Sequence, residues 1–193
     1  MDRSERRLVA ALALTLLDSG YLSWRYLALR LEIVAPGTSL CSWSSVVDCD
    51  RVLVTPEANA FFLPNALLGW GFYLGCLLFW FLGRGLGPQY RFHVVRILTV
   101  ALGLAALATL RFFWLLVRLP AFCPICPFNH VLTYVALGAA IALYRRTPRP
   151  REIVPVLPML LLVSTCVLLF LTIQLAWFGA QASGALQEPA ILR

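Results

Sequence analysis

Charge is what this chain has least of. Only 13% of its 193 residues are charged, lysine is absent, and histidine occurs twice. A soluble domain carries about a quarter of its residues as Asp, Glu, Lys or Arg, so composition excludes a soluble globular fold. The 16 basic residues are all arginine and outnumber the 9 acidic ones, for a net charge of +7. Most of these arginines stand at the ends of apolar segments, where a bilayer protein needs them, so no nucleic-acid partner is expected. The chain also lacks internal repeats and low-complexity tracts. It shows no half-helix pair, charged pore or inverted repeat of the kind a transporter displays.

What is present is apolar: 61% of the residues are hydrophobic. About 20 consecutive apolar residues cross a bilayer core, and five stretches meet that length. They are Leu8 to Leu29, Pro64 to Leu82, Phe92 to Val117, Cys126 to Tyr144 and Ile153 to Phe178. The first follows a short arginine-bearing head, a pattern shared with signal peptides. It runs past any small-residue cleavage site, with Tyr21, Trp24 and Tyr26 near its far end, so a retained span is expected. Asp18 lies inside it, where a carboxylate is costly unless it faces the bundle interior. It reads either as a polar or proton-linked group near a buried site or as a helix-to-helix hydrogen bond. Residues 31–63 form the one sizeable polar insertion, in which Ser44 or Ser45 would cap a short helix reaching Cys49. Phe61, Phe62 and Leu63 close it as an apolar patch expected at the membrane surface.

Arginine counts orient the spans. The head (Arg3, Arg6, Arg7), the second connection (Arg84, Arg91) and the fourth (Arg145, Arg146, Arg149, Arg151) are basic. The first connection has Arg51 against Asp48, Asp50 and Glu57. The third has Arg118, and the tail has Arg193. An N-terminus in the cytoplasm and five spans fit this alternation. Cys41, Cys49, Cys123 and Cys126 then share the extracytoplasmic side, where disulfides form and persist.

Cys123-Pro-Ile-Cys126 opens an apolar segment. Two thiols at a helix start can form a reactive disulfide, because the helix N-terminus stabilises a thiolate. A structural disulfide, half a zinc site and two buried thiols are the other readings of this motif alone. With a second pair on a loop of the same face, disulfide exchange in relay becomes possible. The loop would supply mobility and the helix mouth a fixed site. Zinc fits poorly, since seven residues separate Cys41 from Cys49, and no metal is expected. A transporter or scaffold with structural disulfides is the rival of a different class. Cys76 and Cys166 lie mid-span and read as small core residues.

Together these motifs resemble the vitamin K epoxide reductase family. The residues that carry the likeness are Cys41-x7-Cys49 with Asp50-Arg51-Val52, Asn65 with Gly69 and Phe72-Tyr73, and Cys123-Pro-Ile-Cys126. The likeness covers most of residues 8 to 144. It implies an all-α membrane protein: a four-helix transmembrane bundle over 8–144 with outer loop 31–63. A basic cytoplasmic connection, a fifth transmembrane helix and a short outer tail then occupy 145–193. It implies a thiol:quinone oxidoreductase supporting disulfide formation, with quinone epoxide reduction as an alternative. By family role Cys123 and Cys126 are the active pair, with Cys126 facing the quinone. Cys49 passes electrons to Cys123, and Cys41 meets an extracytoplasmic thioredoxin-fold partner. Asn65 would hydrogen-bond a quinone oxygen, ubiquinone or menaquinone. His130 stands where the animal enzyme has a tyrosine and would supply the second contact. A bacterial inner-membrane protein without a fused thioredoxin-like domain is expected.

Overall fold

The computed structural model describes residues 2–60, 63–149 and 157–182. Six α-helices follow in order: α1 (Arg3–Arg30), α2 (Cys49–Leu53), α3 (Asn65–Gly85), α4 (Arg91–Arg118), α5 (Ile125–Arg146) and α6 (Leu157–Ala182). A two-residue antiparallel ladder pairs Asn59–Ala60 with Leu63–Pro64 ahead of α3.

Local chemistry sets the helix boundaries. Asp2 accepts the Glu5 N–H at 2.8 Å and Glu5 accepts the Asp2 N–H at 3.1 Å, a reciprocal cap that starts α1. Between α3 and α4 the chain reverses at Gly87, whose φ of 111° favours glycine, and Pro88 then leads back into helix. Pro64 and Pro124 stand immediately before α3 and α5. The short helix α2 is capped by Asp48, which accepts the N–H groups of Asp50 and Arg51. This corrects the expected Ser44 or Ser45 cap. Ser44 instead accepts from Val46 and Val47 and closes its own local turn.

Four helices form a closed ring in which α1 packs on α3 and α5, and α4 packs on the same two. The helix α6 lies outside the ring against α3. Leu8, Leu12, Trp80, Leu98, Leu102, Ala136 and Ala140 fill the ring's interior. Outward on α4, Val100, Leu104, Leu107, Leu110 and Trp114 are all more than half exposed. Such a continuous apolar face is tolerated in lipid and not in water. Helix α3, the segment Pro88–Arg118 and helix α5 are each long and apolar enough to cross a bilayer. The chain is thus an all-α membrane protein, a four-helix bundle with a further helix at its side. Helix α1 has 28 residues, about 42 Å, with charge at both ends and Asp18 and Arg25 within it.

A second, smaller core sits beneath the outer loop and contains Cys41, Cys49 and Cys123 with Leu22, Tyr26 and Leu67. Leu63 belongs to it and is 7% exposed, so it is packed inward and not laid on a surface. Its expected companions Phe61 and Phe62 lie outside the described residues.

Candidate functional site

Two backbone hydrogen bonds bring the cysteine pairs together. The Phe122 N–H donates to the Val46 carbonyl at 2.7 Å, and the Asp48 N–H donates to the Phe122 carbonyl at 3.1 Å. This parallel bridge pairs Val47, two residues before Cys49, with Phe122, the residue before Cys123. Cys41 and Cys49 are joined in a disulfide, with a Cα–Cα distance of 5.6 Å. The sulfurs of Cys41, Cys49 and Cys123 lie within 4.8 Å of one another. Cys123 and Cys126 are free thiols, and the Cys126 Sγ donates to the Cys123 Sγ at 2.9 Å.

Cys123 sits just before α5 with the N–H groups of Ile125 and Cys126 directed at it. The Cys126 thiol, followed by these backbone donors, holds the Cys123 pKa below the ordinary thiol value against the opposing effect of burial. A sulfur so placed is a ready nucleophile, and the disulfide beside it is its electrophile. With the disulfide closed, the three sulfurs lie close enough for thiol–disulfide exchange.

The loop that carries Cys41 and Cys49 is tied down more firmly than its length suggests. Cys41 is 2% exposed and Cys49 is fully buried. Arg25 of α1 grips Asp50 through Nε at 2.8 Å and through its second nitrogen at 2.7 Å. Burial pushes the Asp50 pKa up. The bonds and charge of Arg25, with the Gly37 N–H and Ser39, outweigh that and hold it below the usual carboxylate value. The pairing of Arg25 with Asp50 is absent from the sequence expectations. The available signal was an arginine inside an apolar helix end and an acid next to Cys49.

Below the cysteines lies a cavity of about 680 Å³, within the range of small-molecule sites. Cys126, Asn65 and His130 line it, as do Val52 and Leu53 of α2. Asn65 opens α3 without capping it. Its Nδ2 donates to the Glu57 carbonyl at 3.2 Å, while its Oδ1 is buried with no partner among the described residues. The Nδ1 of His130 is likewise buried and unpaired. Orphaned buried polar atoms are rare; Asn65 and His130 each have one among the described residues, and Trp80 Nε1 in the main core is a third. Away from this end the walls are apolar, with Val163, Cys166 and Phe170 of α6 among them. Cys76 is buried in the main core and Cys166 packs against it.

Asn129, one helical turn beyond Cys126, also lines the cavity. Its Nδ2 donates to Asp18 at 2.8 Å and to the Thr15 carbonyl at 3.3 Å. Its Oδ1 accepts from the Tyr73 hydroxyl at 3.3 Å, and that hydroxyl also bonds Thr133 at 2.6 Å. Asp18 therefore faces inward and makes a helix-to-helix hydrogen bond to a residue of the cavity wall. This is the helix-to-helix hydrogen bond that the second reading of Asp18 expects. Asn129 itself was missed, although an amide between Cys126 and His130 in an apolar span was a usable signal.

A family model described as Vitamin K epoxide reductase family matches residues 7–141. Neither the curated proteins nor the solved structures include a match to the chain.

Proposed function

The chain belongs to the vitamin K epoxide reductase family, and on that premise we propose that it is a membrane thiol:quinone oxidoreductase that supports disulfide formation. Electrons enter from a reduced thioredoxin-fold protein at Cys41, pass through Cys49 to Cys123, and leave from Cys126. The observation that carries this reading is the division of the four sulfurs. Three lie within 4.8 Å of one another on the loop side, and the fourth, 2.9 Å from Cys123, lines the cavity.

In the relay, the Cys49 thiolate attacks Cys123 of the Cys123–Cys126 disulfide. The old S–S bond breaks, Cys126 leaves as a thiolate, and a Cys49–Cys123 bridge forms. Cys41 then attacks Cys49, which frees Cys123 and closes Cys41–Cys49. The lowered pKa of Cys123 favours its departure in the second exchange.

A quinone bound in the cavity supplies a two-electron, two-proton acceptor. The residues present fit one. Asn65 lines the cavity, and its Nδ2 keeps a second N–H beyond the Glu57 contact that can donate to a quinone carbonyl oxygen. The imidazole of His130 can likewise donate from one nitrogen and accept at the other. The apolar walls exclude water, which strengthens these bonds. Ubiquinone and menaquinone both belong in the assay.

We place the N-terminus in the cytoplasm and the four cysteines outside it, with α1, α3, α4, α5 and α6 as five spans. Residues 8–144 are the catalytic unit, and 145–193 are the basic connection, the fifth span and the outer tail. The deciding experiment is quinone reduction by the purified chain with a reduced thioredoxin-fold donor, followed by quinone absorbance. Turnover that depends on both protein and donor is expected. A chain that reduces neither ubiquinone nor menaquinone, nor a quinone epoxide, would return the molecule to the scaffold reading.

A further inference from the structure

Three segments of chain converge on the Asp50 carboxylate. The first is the end of α1, through the two-pronged contact with Arg25; the two side chains are 4% and 1% exposed. The second is the stretch leading to Cys41, whose Gly37 and Ser39 N–H groups donate to Oδ2 at 2.9 and 3.3 Å. The third is α2 itself, which begins at Cys49, the residue before Asp50. Arg25 also reaches back to that second stretch, donating to the Ala35 carbonyl at 3.0 Å and the Thr38 hydroxyl at 2.6 Å.

A buried ion pair is weak evidence for stability, because apolar side chains of similar volume often do as well or better. Its best-attested use is to fix one register among several. The register at stake here is chemical. Cys41 and Cys49 both have their sulfurs within reach of Cys123, so proximity alone does not choose between them. The Asp50 carboxylate grips both approaches to the disulfide, from Ser39 on the Cys41 side and from α2 on the Cys49 side. The Val47–Phe122 bridge anchors only the Cys49 side to Cys123.

We propose that Arg25 and Asp50 are positioning residues of the thiol relay, a clamp that keeps Cys49 and not Cys41 aligned with Cys123. The inference rests on the relay reading above. With the clamp in place, Cys123 attacks Cys49, the Cys41–Cys49 bond breaks, and Cys41 leaves as a thiolate. This internal exchange needs no external oxidant and is the reverse of the relay's closing step. Without the clamp, the segment 35–39 is released and Cys41 competes for the same partner.

The test uses the full chain carrying Cys126→Ala, which leaves Cys123 no resolving partner. Free thiols are rapidly alkylated, and the bridges are mapped by mass spectrometry without reduction. With the clamp intact, the Cys123 bridges should be almost all to Cys49. Adding Arg25→Met and Asp50→Leu together keeps the volume apolar and should shift the ratio of Cys49 to Cys41 bridges by at least about tenfold towards Cys41, worth about 1.4 kcal/mol. Should that variant fail to fold, Arg25→Lys keeps the charge, drops the fork and should shift the ratio about threefold. An unchanged ratio in a folded clamp variant overturns the proposal and leaves the relay standing. Finding no bridge from Cys123 to either loop cysteine, even with the clamp intact, overturns both.

Discussion

At the scale of single residues, three polar side chains of the cavity wall, Asn129, Asn65 and His130, differ in how they are bonded. Asn129 has both of its amide atoms engaged by Asp18, Thr15 and Tyr73, and so ties α5 to α1 and α3. Asn65 and His130 line the same cavity, and each has a buried polar atom with no partner among the described residues. Reduction of a quinone puts negative charge on its ring oxygens, and a positioned donor stabilises that charge as it develops. Asn65→Ala should therefore slow quinone turnover by about 10²-fold, near the lower end of what loss of such a donor costs. His130→Phe should also slow it, while His130→Tyr restores most of the rate. Steady-state kinetics of the three variants, with melting curves as a folding control, give the comparison. Equal and near-normal rates for Phe and Tyr would make His130 a packing residue.

At the scale of elements, close approach of backbones sets the shape of the ring. A Cβ built on Gly83 of α3 would lie 2.7 and 2.9 Å from the two γ-carbons of Val94 on α4, nearer than side chains tolerate. Small residues at such crossings are how membrane helices pack, since lipid is as apolar as the protein and only fit distinguishes them. Gly83→Ala should destabilise the protein by about 1–3 kcal/mol, the usual cost of overpacking. Pairing it with Val94→Ala should recover most of the loss. Melting temperatures in one detergent would show this, and a double variant no better than Gly83→Ala would put the strain elsewhere. Gly71 plays a similar part against Phe170, letting α6 lie close on α3 and complete the cavity wall.

At the scale of the whole molecule, the relay depends on which side of the membrane the cysteines occupy. Ser45 is exposed on the cysteine loop, and Gln89 is exposed in the basic connection between α3 and α4. In a chain without its native cysteines, Ser45→Cys should react with a membrane-impermeant thiol reagent on intact cells. Gln89→Cys should react only after the membrane is opened. The reverse pattern would place the cysteine loop in the reducing cytoplasm, where a standing disulfide is not expected.

Much of this was legible without coordinates, for physical reasons. Apolar length and arginine placement report directly on a bilayer, so the helical membrane class and the approximate ends of α3, α4 and α5 follow from the order of residues. The pair Cys123 and Cys126 is equally visible, because Cys-x-x-Cys at a helix start is a motif of spacing. The cap on α2 was misread because Ser44, Ser45 and Asp48 are all competent caps, and only the path of the loop selects Asp48. Contacts between distant segments leave no periodic trace. Arg25 meets Asp50 25 residues away, and Asn129 meets Asp18 111 residues away. Sequence order determined that this chain is a membrane-embedded helical protein with two thiol pairs. Tertiary packing alone decided which sulfurs meet, which side chains line the cavity, and which buried charges hold the loop in place. Those outcomes depend on distances through space, and spacing along the chain does not encode them.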